Sequence, residues 1–179
     1  MTMANGIADR YRRWFEYEQD SHAKVLAALA AVPEEARAEE AYQKAVMLLA
    51  HIVGARLLWL DRFGVAQAVA AEYRPQTLAD FFPAHIAFAD LGPRVAEMQA
   101  AWTDYLAGLT DEELARIFEY QSLEGARFRN TIEDILTQLF GHSWYHRGQI
   151  ALLLRSIGAQ PAVTDLVFWS REPVESEPA

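Results

Sequence analysis

The stretch 130–158, NTIEDILTQLFGHSWYHRGQIALLLRSIG, has the spacing of one long amphipathic helix and constrains the fold more than any other segment. Asn130 followed by Glu133 predicts a capped helix start, Asp134 favours the positive end of the helix dipole, and Gly158 predicts the stop. Between these ends the apolar residues recur every three or four positions, so they form one stripe that must be buried against other helices: Ile132, Ile135, Leu136, Leu139, Ile150, Leu153 and Ile157.

Two histidines, His142 and His146, lie in the same stripe. Residues four apart in a helix project from one face one turn apart, so both imidazoles could reach a single metal ion. Histidines at this spacing also occur as ordinary polar residues bonded to carbonyls or carboxylates. Here both point toward the predicted apolar interior, where every imidazole nitrogen needs a partner. A shared metal ion would satisfy both rings at once.

The length and cysteine content limit the class of protein. With 179 residues the chain has the size of one domain, and we expect residues 1–179 to form a single domain with a flexible tail at about 171–179. The absence of cysteine excludes disulfides, thiolate metal ligands and a thiol nucleophile supplied by the chain. It also fits a reducing compartment, and the first residues lack the apolar segment of a signal peptide. We therefore expect a cytoplasmic protein with no membrane partner.

The charge balance argues against nucleic acid as a partner. The formal net charge is -9 and the pI is near 5.0, so the chain repels phosphate backbones. No stretch concentrates lysine or arginine into a basic groove. We expect no nucleic-acid binding.

Three further long helices are predicted before residue 110. The first spans about 5–31, and Glu18 and His22 continue its apolar stripe one turn apart, either as a helix-surface pair or facing the interior. The second spans about 39–63 and is apolar on most sides, with His51 in one of its buried rows. The third covers the heptad-like repeat from Leu91 to Leu109.

Shorter elements join these helices. The crossover at 65–89 contains a short helical turn at 77–82 and His85, which we expect at the surface or in a cap. Gly125 marks the turn of a small hairpin within 116–128. An extended segment at 164–169 is expected to pack back on the bundle. The predicted fold is therefore all-α: a four-helix bundle with a long crossover between helices 2 and 3 and a small β-hairpin before helix 4.

The interior of such a bundle is a common place for a metal site, and two familiar helical motifs can be tested. Glu-x-x-His repeats, typical of di-iron bundles, are missing. The zinc-protease pattern His-Glu-x-x-His is also missing, because Ser143 follows His142. A mononuclear site of His51, His142 and His146 is what the sequence predicts. Three neutral nitrogens would leave a position open for substrate or water.

Two segments, HIVGARLLWLDRF from His51 and GHSWYHRGQI at 141–150, together with Gly158-Ala-Gln-Pro161 and Thr164-Asp165, resemble the DinB/YfiT-like family of metal-dependent proteins. The resemblance spans nearly the whole chain. It implies a four-helix bundle, often a homodimer, with nickel, zinc or another divalent ion on His51, His142 and His146. Members of the wider superfamily include transferases and a maleylpyruvate isomerase that use low-molecular-weight thiols.

The resemblance thus implies a metal-dependent enzyme that acts on a small molecule, with thiol-dependent transfer as the preferred reaction. Arg147, Gly148 and Gln149 also match the family motif. Gly148 is expected to permit a close helix contact, and Arg147 either pairs with an acidic residue or binds an anionic ligand. Trp144 and Tyr145 are expected in packing or in a dimer contact.

Two alternatives to thiol transfer stay open at this point. One is a metal-dependent hydrolase, and the other is a non-enzymatic dimeric module that binds or senses a metal. A catalytic site needs an opening to solvent at the metal, whereas a structural site is closed by a fourth protein ligand. The sequence singles out no catalytic residue beyond the three histidines.

Overall fold

Four long helices build the bundle in the computed structural model, which describes residues 6–65, 77–82 and 86–174. They are α1 (Ile7–Ala30), α2 (Glu40–Arg62), α3 (Leu91–Ala107) and α5 (Ile132–Ser156). Two short helices, α4 (Asp111–Ala115) and α6 (Leu166–Ser170), and two strands, β1 (Ile117–Gln121) and β2 (Arg127–Thr131), complete the regular elements outside the 3₁₀ turns. The predicted all-α bundle, with its crossover between the second and third long helices, is confirmed.

Helix α2 packs most extensively along α5 and also contacts α3 and α1. It is long and apolar enough to cross a membrane, with a mean hydropathy of 1.3, but 67% of that apolar window is buried inside the bundle. The apolar surface that surrounds α2 is therefore covered by neighbouring helices, as expected for the core helix of a bundle. No other helix of the described residues meets these criteria of length and hydropathy.

The start of α5 differs from the predicted one. Thr131 is the N-cap: its hydroxyl accepts from the backbone N–H of Asp134 at 3.0 Å, and the Asp134 carboxylate accepts from the Thr131 N–H at 3.4 Å. Asn130 belongs to β2, where it pairs with Phe118 and accepts a hydrogen bond from the Tyr120 hydroxyl at 3.0 Å. The prediction of Asn130 as the cap was wrong because pairing with β1 continues through Thr131, so the helix begins one residue later than an Asn130 cap requires.

The hairpin and the crossover turn match their predictions. Strands β1 and β2 pair antiparallel from Ile117–Thr131 to Gln121–Arg127, and Gly125 has the positive φ of +90° that this turn requires. In the crossover, a 3₁₀ turn at Leu78–Phe81 is capped by Thr77 and Asp80. His85 lies outside the described residues.

The segment after Gly158 packs back on the bundle, but its end is helical. The Tyr17 hydroxyl donates to the carbonyl of Thr164, and the Trp169 ring lies 5.8 Å from that of Tyr17. The predicted extended conformation at 164–169 is wrong from Leu166 onward, because the Asp165 carbonyl accepts the N–H groups of Phe168 and Trp169 and starts the short helix Leu166–Ser170. The predicted flexible tail lies partly outside the described residues and stays a prediction.

The core is divided by a layer of buried polar side chains, here called the polar layer. Two apolar clusters lie at successive levels of the bundle: one contains Phe15, Trp102 and Phe140, and the other contains Leu29 and Leu49. Between these levels on α1 and α5 the buried positions are polar, and Arg56 of α2 joins them by its contact with Glu18, so the polar layer consists of Glu18, Ser21, His22, Arg56, Ser143 and Arg147.

Candidate metal centre

His51 on α2 and His142 and His146 on α5 come together into one group, here called the histidine cluster. One ring nitrogen from each histidine lies within 4.8 Å of the other two. The Nε2 atoms of His51 and His142 are 2.9 Å apart. The close packing of α2 against α5 brings His51 to the pair on α5 across 91 positions of the sequence. The three predicted metal-ligating residues are therefore adjacent in space.

The histidine cluster lies at the edge of the bundle. His51 is 8% exposed, whereas His142 and His146 are only partly buried. The prediction that both α5 histidines point into the apolar interior was therefore wrong, since the innermost positions of this turn belong to Ser143 and Arg147. Part of the cluster is therefore exposed to solvent.

Gln149 fixes the orientation of the His146 ring. The Nδ1–H of His146 donates to the Gln149 side-chain oxygen at 2.6 Å. With Nδ1 carrying the proton, Nε2 keeps its lone pair and is the nitrogen available to a metal ion. Metal-binding histidines usually donate their other N–H in this way. Sequence analysis assigned no role to Gln149, although its position three residues after His146 was a usable signal.

His142 is held in its neutral form. Burial, together with the charges that His146 and His51 would carry, lowers the pKa of His142 to about 4. At neutral pH its ring therefore retains a lone pair, as metal binding requires. The Nε2 atoms of His51 and His142, 2.9 Å apart, can share a proton or a metal ion. Only a metal ion would use a lone pair from each of the three rings. The donor chemistry of the histidine cluster fits a divalent ion that favours imidazole, such as zinc or nickel.

Two exposed aromatic rings, here called the aromatic rim, border the histidine cluster. The Phe82 ring, from the crossover, stacks on the His51 imidazole with centroids 4.2 Å apart and planes at 17°. The Tyr145 ring lies edge-on to His146 with centroids 5.1 Å apart. These side chains are 53% and 65% exposed, so both present apolar surface to solvent beside the cluster. Phe82 was not singled out from the sequence.

Behind the cluster, the polar layer is centred on an ion pair between Glu18 and Arg56. Glu18 is 0% exposed and Arg56 is 1% exposed, and the Arg56 Nη2 donates to the Glu18 carboxylate. Burial, the largest single influence, would raise the pKa of Glu18, but the Arg56 guanidinium together with His22 and Ser143 outweighs burial and holds this pKa below its ordinary value. The guanidinium also lies 4.6 Å from the Phe140 ring centroid and 5.2 Å from that of Trp102.

The sequence left open whether Glu18 and His22 form a helix-surface pair or face the interior, and in the structure they face the interior. Both side chains are buried, and the His22 Nε2 lies 3.9 Å from Glu18 Oε1, beyond a normal hydrogen bond. Arg147, also buried, donates to the Tyr17 hydroxyl at 2.5 Å, and the same hydroxyl donates to Thr164. Arg147 thus links α5 to α1 and to the C-terminal segment. The hydrogen bond from Arg147 to Tyr17 supports a structural role for this arginine.

Gly148 does not make the close helix contact expected of it within the described residues. A Cβ at this position would have open space around it. The residue lies on the exposed side of α5, one position beyond the buried Arg147. Room for another helix exists at Gly148, but no helix of this chain fills it in the described structure.

We expect Gln149→Ala to weaken the affinity for a divalent ion by roughly 10- to 100-fold, because the His146 ring would lose the partner that fixes its tautomer. Competition with a chromophoric chelator measures this affinity. Gln149→Glu keeps an acceptor and is the matched control, with affinity at or above that of the wild type. Equal affinities for all three proteins would contradict the assigned role.

A second prediction concerns the pH dependence of stability through His22. Burial lowers the pKa of His22 to about 4, with Glu18 opposing the shift and Arg147 and Arg56 adding to it. The unfolded chain binds a proton at this histidine below about pH 6.5, whereas the folded chain does not until about pH 4. Neutral His22 therefore adds its full contribution to the free energy of unfolding above pH 6.5. Between pH 6.5 and 4 the free energy of unfolding falls by up to about 3 kcal/mol on account of this residue.

The measurement is the free energy of unfolding of metal-free protein at several pH values, compared with that of His22→Gln. Asn and Gln side chains do not titrate in this range, so we expect the variant to have a shallower loss of stability on acidification. Parallel curves for the two proteins would show that His22 does not contribute.

Among known protein families, the DinB family matches residues 3–175, and this match covers nearly the whole chain. No curated protein and no solved structure matches the chain.

Proposed function

The chain belongs to the DinB family, and from this premise we propose that it is a metal-dependent enzyme that acts on a small molecule. In this proposal His51, His142 and His146 hold one divalent ion, zinc or nickel. The reaction is transfer of a low-molecular-weight thiol to an electrophile. The observation that carries the proposal is the histidine cluster itself: three imidazoles converge at a partly exposed edge of the bundle.

The chain's own residues supply the ligand set and its orientation. Neutral His142 offers a lone pair, and Gln149 directs the Nε2 of His146. A bound divalent ion would lower the pKa of a coordinated thiol or water, so that either nucleophile forms near neutral pH. Because the chain has no cysteine, a thiol nucleophile must come from a second small molecule. The preference for thiol over water comes from the family resemblance.

Cobalt-substituted protein tests the proposal. We expect an added small thiol to produce a sulfur-to-cobalt charge-transfer band and to be transferred to an electrophilic acceptor in the presence of the native ion. Turnover of an ester or amide without thiol would favour the hydrolase instead. A cobalt spectrum that no thiol changes, together with no turnover of any acceptor, would favour the metal-sensing module.

We propose in addition that the protein is a homodimer that associates through the exposed side of α5. Trp144 and Leu152 expose apolar side chains on one face of this helix, and Gly148, four residues from each, leaves room there for an approaching backbone. Light scattering at micromolar concentration should give about twice the 20.2 kDa mass of one chain. We expect Leu152→Glu to shift the mass toward one chain, since it would bury a charge in the interface. A wild-type mass of one chain would exclude the dimer.

A further inference from the structure

We infer that the aromatic rim makes the metal centre selective for ligands that carry a flat aromatic group next to their metal-binding atom. This inference names a substrate class for the proposed enzyme. It rests on the three-histidine metal site of the proposed function, but it does not depend on thiol chemistry.

Phe82 stacks on His51 without blocking it. The two planes are nearly parallel at 17°, so Phe82 covers a face of the imidazole. The lone pair of a ring nitrogen lies in the plane of the imidazole, at its edge, and a ring stacked on the face does not cover that edge. Phe82 therefore lies beside the histidine cluster, where a metal-bound ligand would be, without covering the edge of the His51 ring.

Tyr145 provides the second ring of the rim. It lies edge-on to His146 at a different part of the cluster, with interplanar angle 77°. Both rim residues expose more than half of their surface. Exposed aromatic surface next to a binding position is covered favourably by another aromatic group, which removes apolar area from water and adds an offset or edge-to-face ring contact. An aliphatic ligand of the same donor type gains less.

The guanidinium groups of the polar layer are not presented to a ligand at the aromatic rim. The nearest described cations of the polar layer, Arg56 and Arg147, are buried, and Arg56 is neutralised by Glu18. Neither guanidinium is therefore presented to an anionic substituent at the exposed rim. A cationic substituent would be repelled by the divalent ion itself. The contacts that the two rings of the aromatic rim offer to a ligand are thus aromatic and apolar.

Two nitrogen ligands that differ by one ring test the inference: imidazole and 4-phenylimidazole. Each is titrated into the cobalt-loaded full-length protein, and the change in the cobalt absorption spectrum gives the dissociation constant. We expect 4-phenylimidazole to bind about tenfold tighter than imidazole, because only its phenyl group can contact the aromatic rim. The quantity compared among variants is the dissociation constant of imidazole divided by that of 4-phenylimidazole, which is larger when the phenyl group adds more affinity.

Phe82→Ala and Tyr145→Ala are expected to lower this ratio while the affinity for imidazole changes little. Phe128→Ala is the matched control, since Phe128 is exposed to 52%, close to the value for Phe82, but lies on β2 in the hairpin. A ratio near one in the wild type, or a ratio that neither rim variant changes, would overturn the inference.

The proposed function and the inference fail separately. A thiol charge-transfer band without any preference for 4-phenylimidazole would leave the proposed thiol chemistry intact and remove the aromatic selectivity. A clear preference for 4-phenylimidazole without a thiol charge-transfer band would support the aromatic selectivity and remove the proposed thiol chemistry. A wild-type protein that binds no cobalt would remove the metal site on which both depend.

Discussion

Replacing His142 or His146 with alanine is expected to abolish binding of the divalent ion, from about one ion per chain to none. Two imidazoles cannot supply the three-nitrogen site that the histidine cluster provides, and no aspartate or glutamate of the described residues belongs to that cluster. His51→Ala should have the same effect, because His51 is the ligand from the second helix. Elemental analysis of the purified proteins measures the ion content directly.

The stability of these variants provides a second readout. An ion that binds only the folded state stabilises it by about 4 kcal/mol at a thousandfold excess over its dissociation constant. Wild-type protein should therefore melt at a higher temperature with added zinc or nickel, and the three variants should not respond. His22→Gln is the matched control, since it removes a buried histidine outside the cluster and should keep the full ion content. Unchanged ion content in both α5 variants would refute the site.

Glu18→Ala is expected to destabilise the folded protein by about 3–5 kcal/mol. The substitution leaves the Arg56 guanidinium charged in the interior without its carboxylate, and an unpaired buried charge is far more costly than a lost surface contact. A helix-surface pair, the other reading that the sequence allowed for Glu18, would contribute at most about 1 kcal/mol. Denaturation by urea therefore separates the two cases by the size of the change.

The double variant Glu18→Leu with Arg56→Met is the control for this prediction. Removing both charges together eliminates the unpaired guanidinium, so the double variant should recover most of the stability that either single substitution loses. A loss below about 1 kcal/mol for Glu18→Ala, or additive losses in the double variant, would contradict the role given to this ion pair.

The polar layer also connects the fold to the metal centre. Glu18 and Arg56 tie α1 to α2, and Arg147 ties α5 to α1 through Tyr17. The helices that carry the three histidines are thus both linked to α1 at the level of the cluster. The rigid spacing that a metal site needs is supported by these buried contacts as well as by apolar packing.

Much of the architecture followed from local patterns in the chain. The three-and-four spacing of apolar residues predicted all four long helices, and positive-φ glycines at Gly125 and Gly158 lie where a turn and a helix stop were expected. The histidines of α5 were predictable as one pair because helix geometry places residues 142 and 146 on one side. His51 joined them only through the expectation that α2 and α5 are neighbours and through the family resemblance.

Other features depended on contacts between residues that are distant in the sequence. The helix start moved from Asn130 to Thr131 because pairing with β1 extended β2. Apolar periodicity could not identify Ser143 and Arg147 as buried positions, since burial of a polar side chain depends on partners from other helices. Phe82, which stacks on His51, belongs to a crossover whose apolar residues have no regular spacing, so its position could not be predicted from the sequence. Helices are determined by interactions within a few residues, which the sequence displays, whereas the polar layer and the aromatic rim arise only when the helices are packed together.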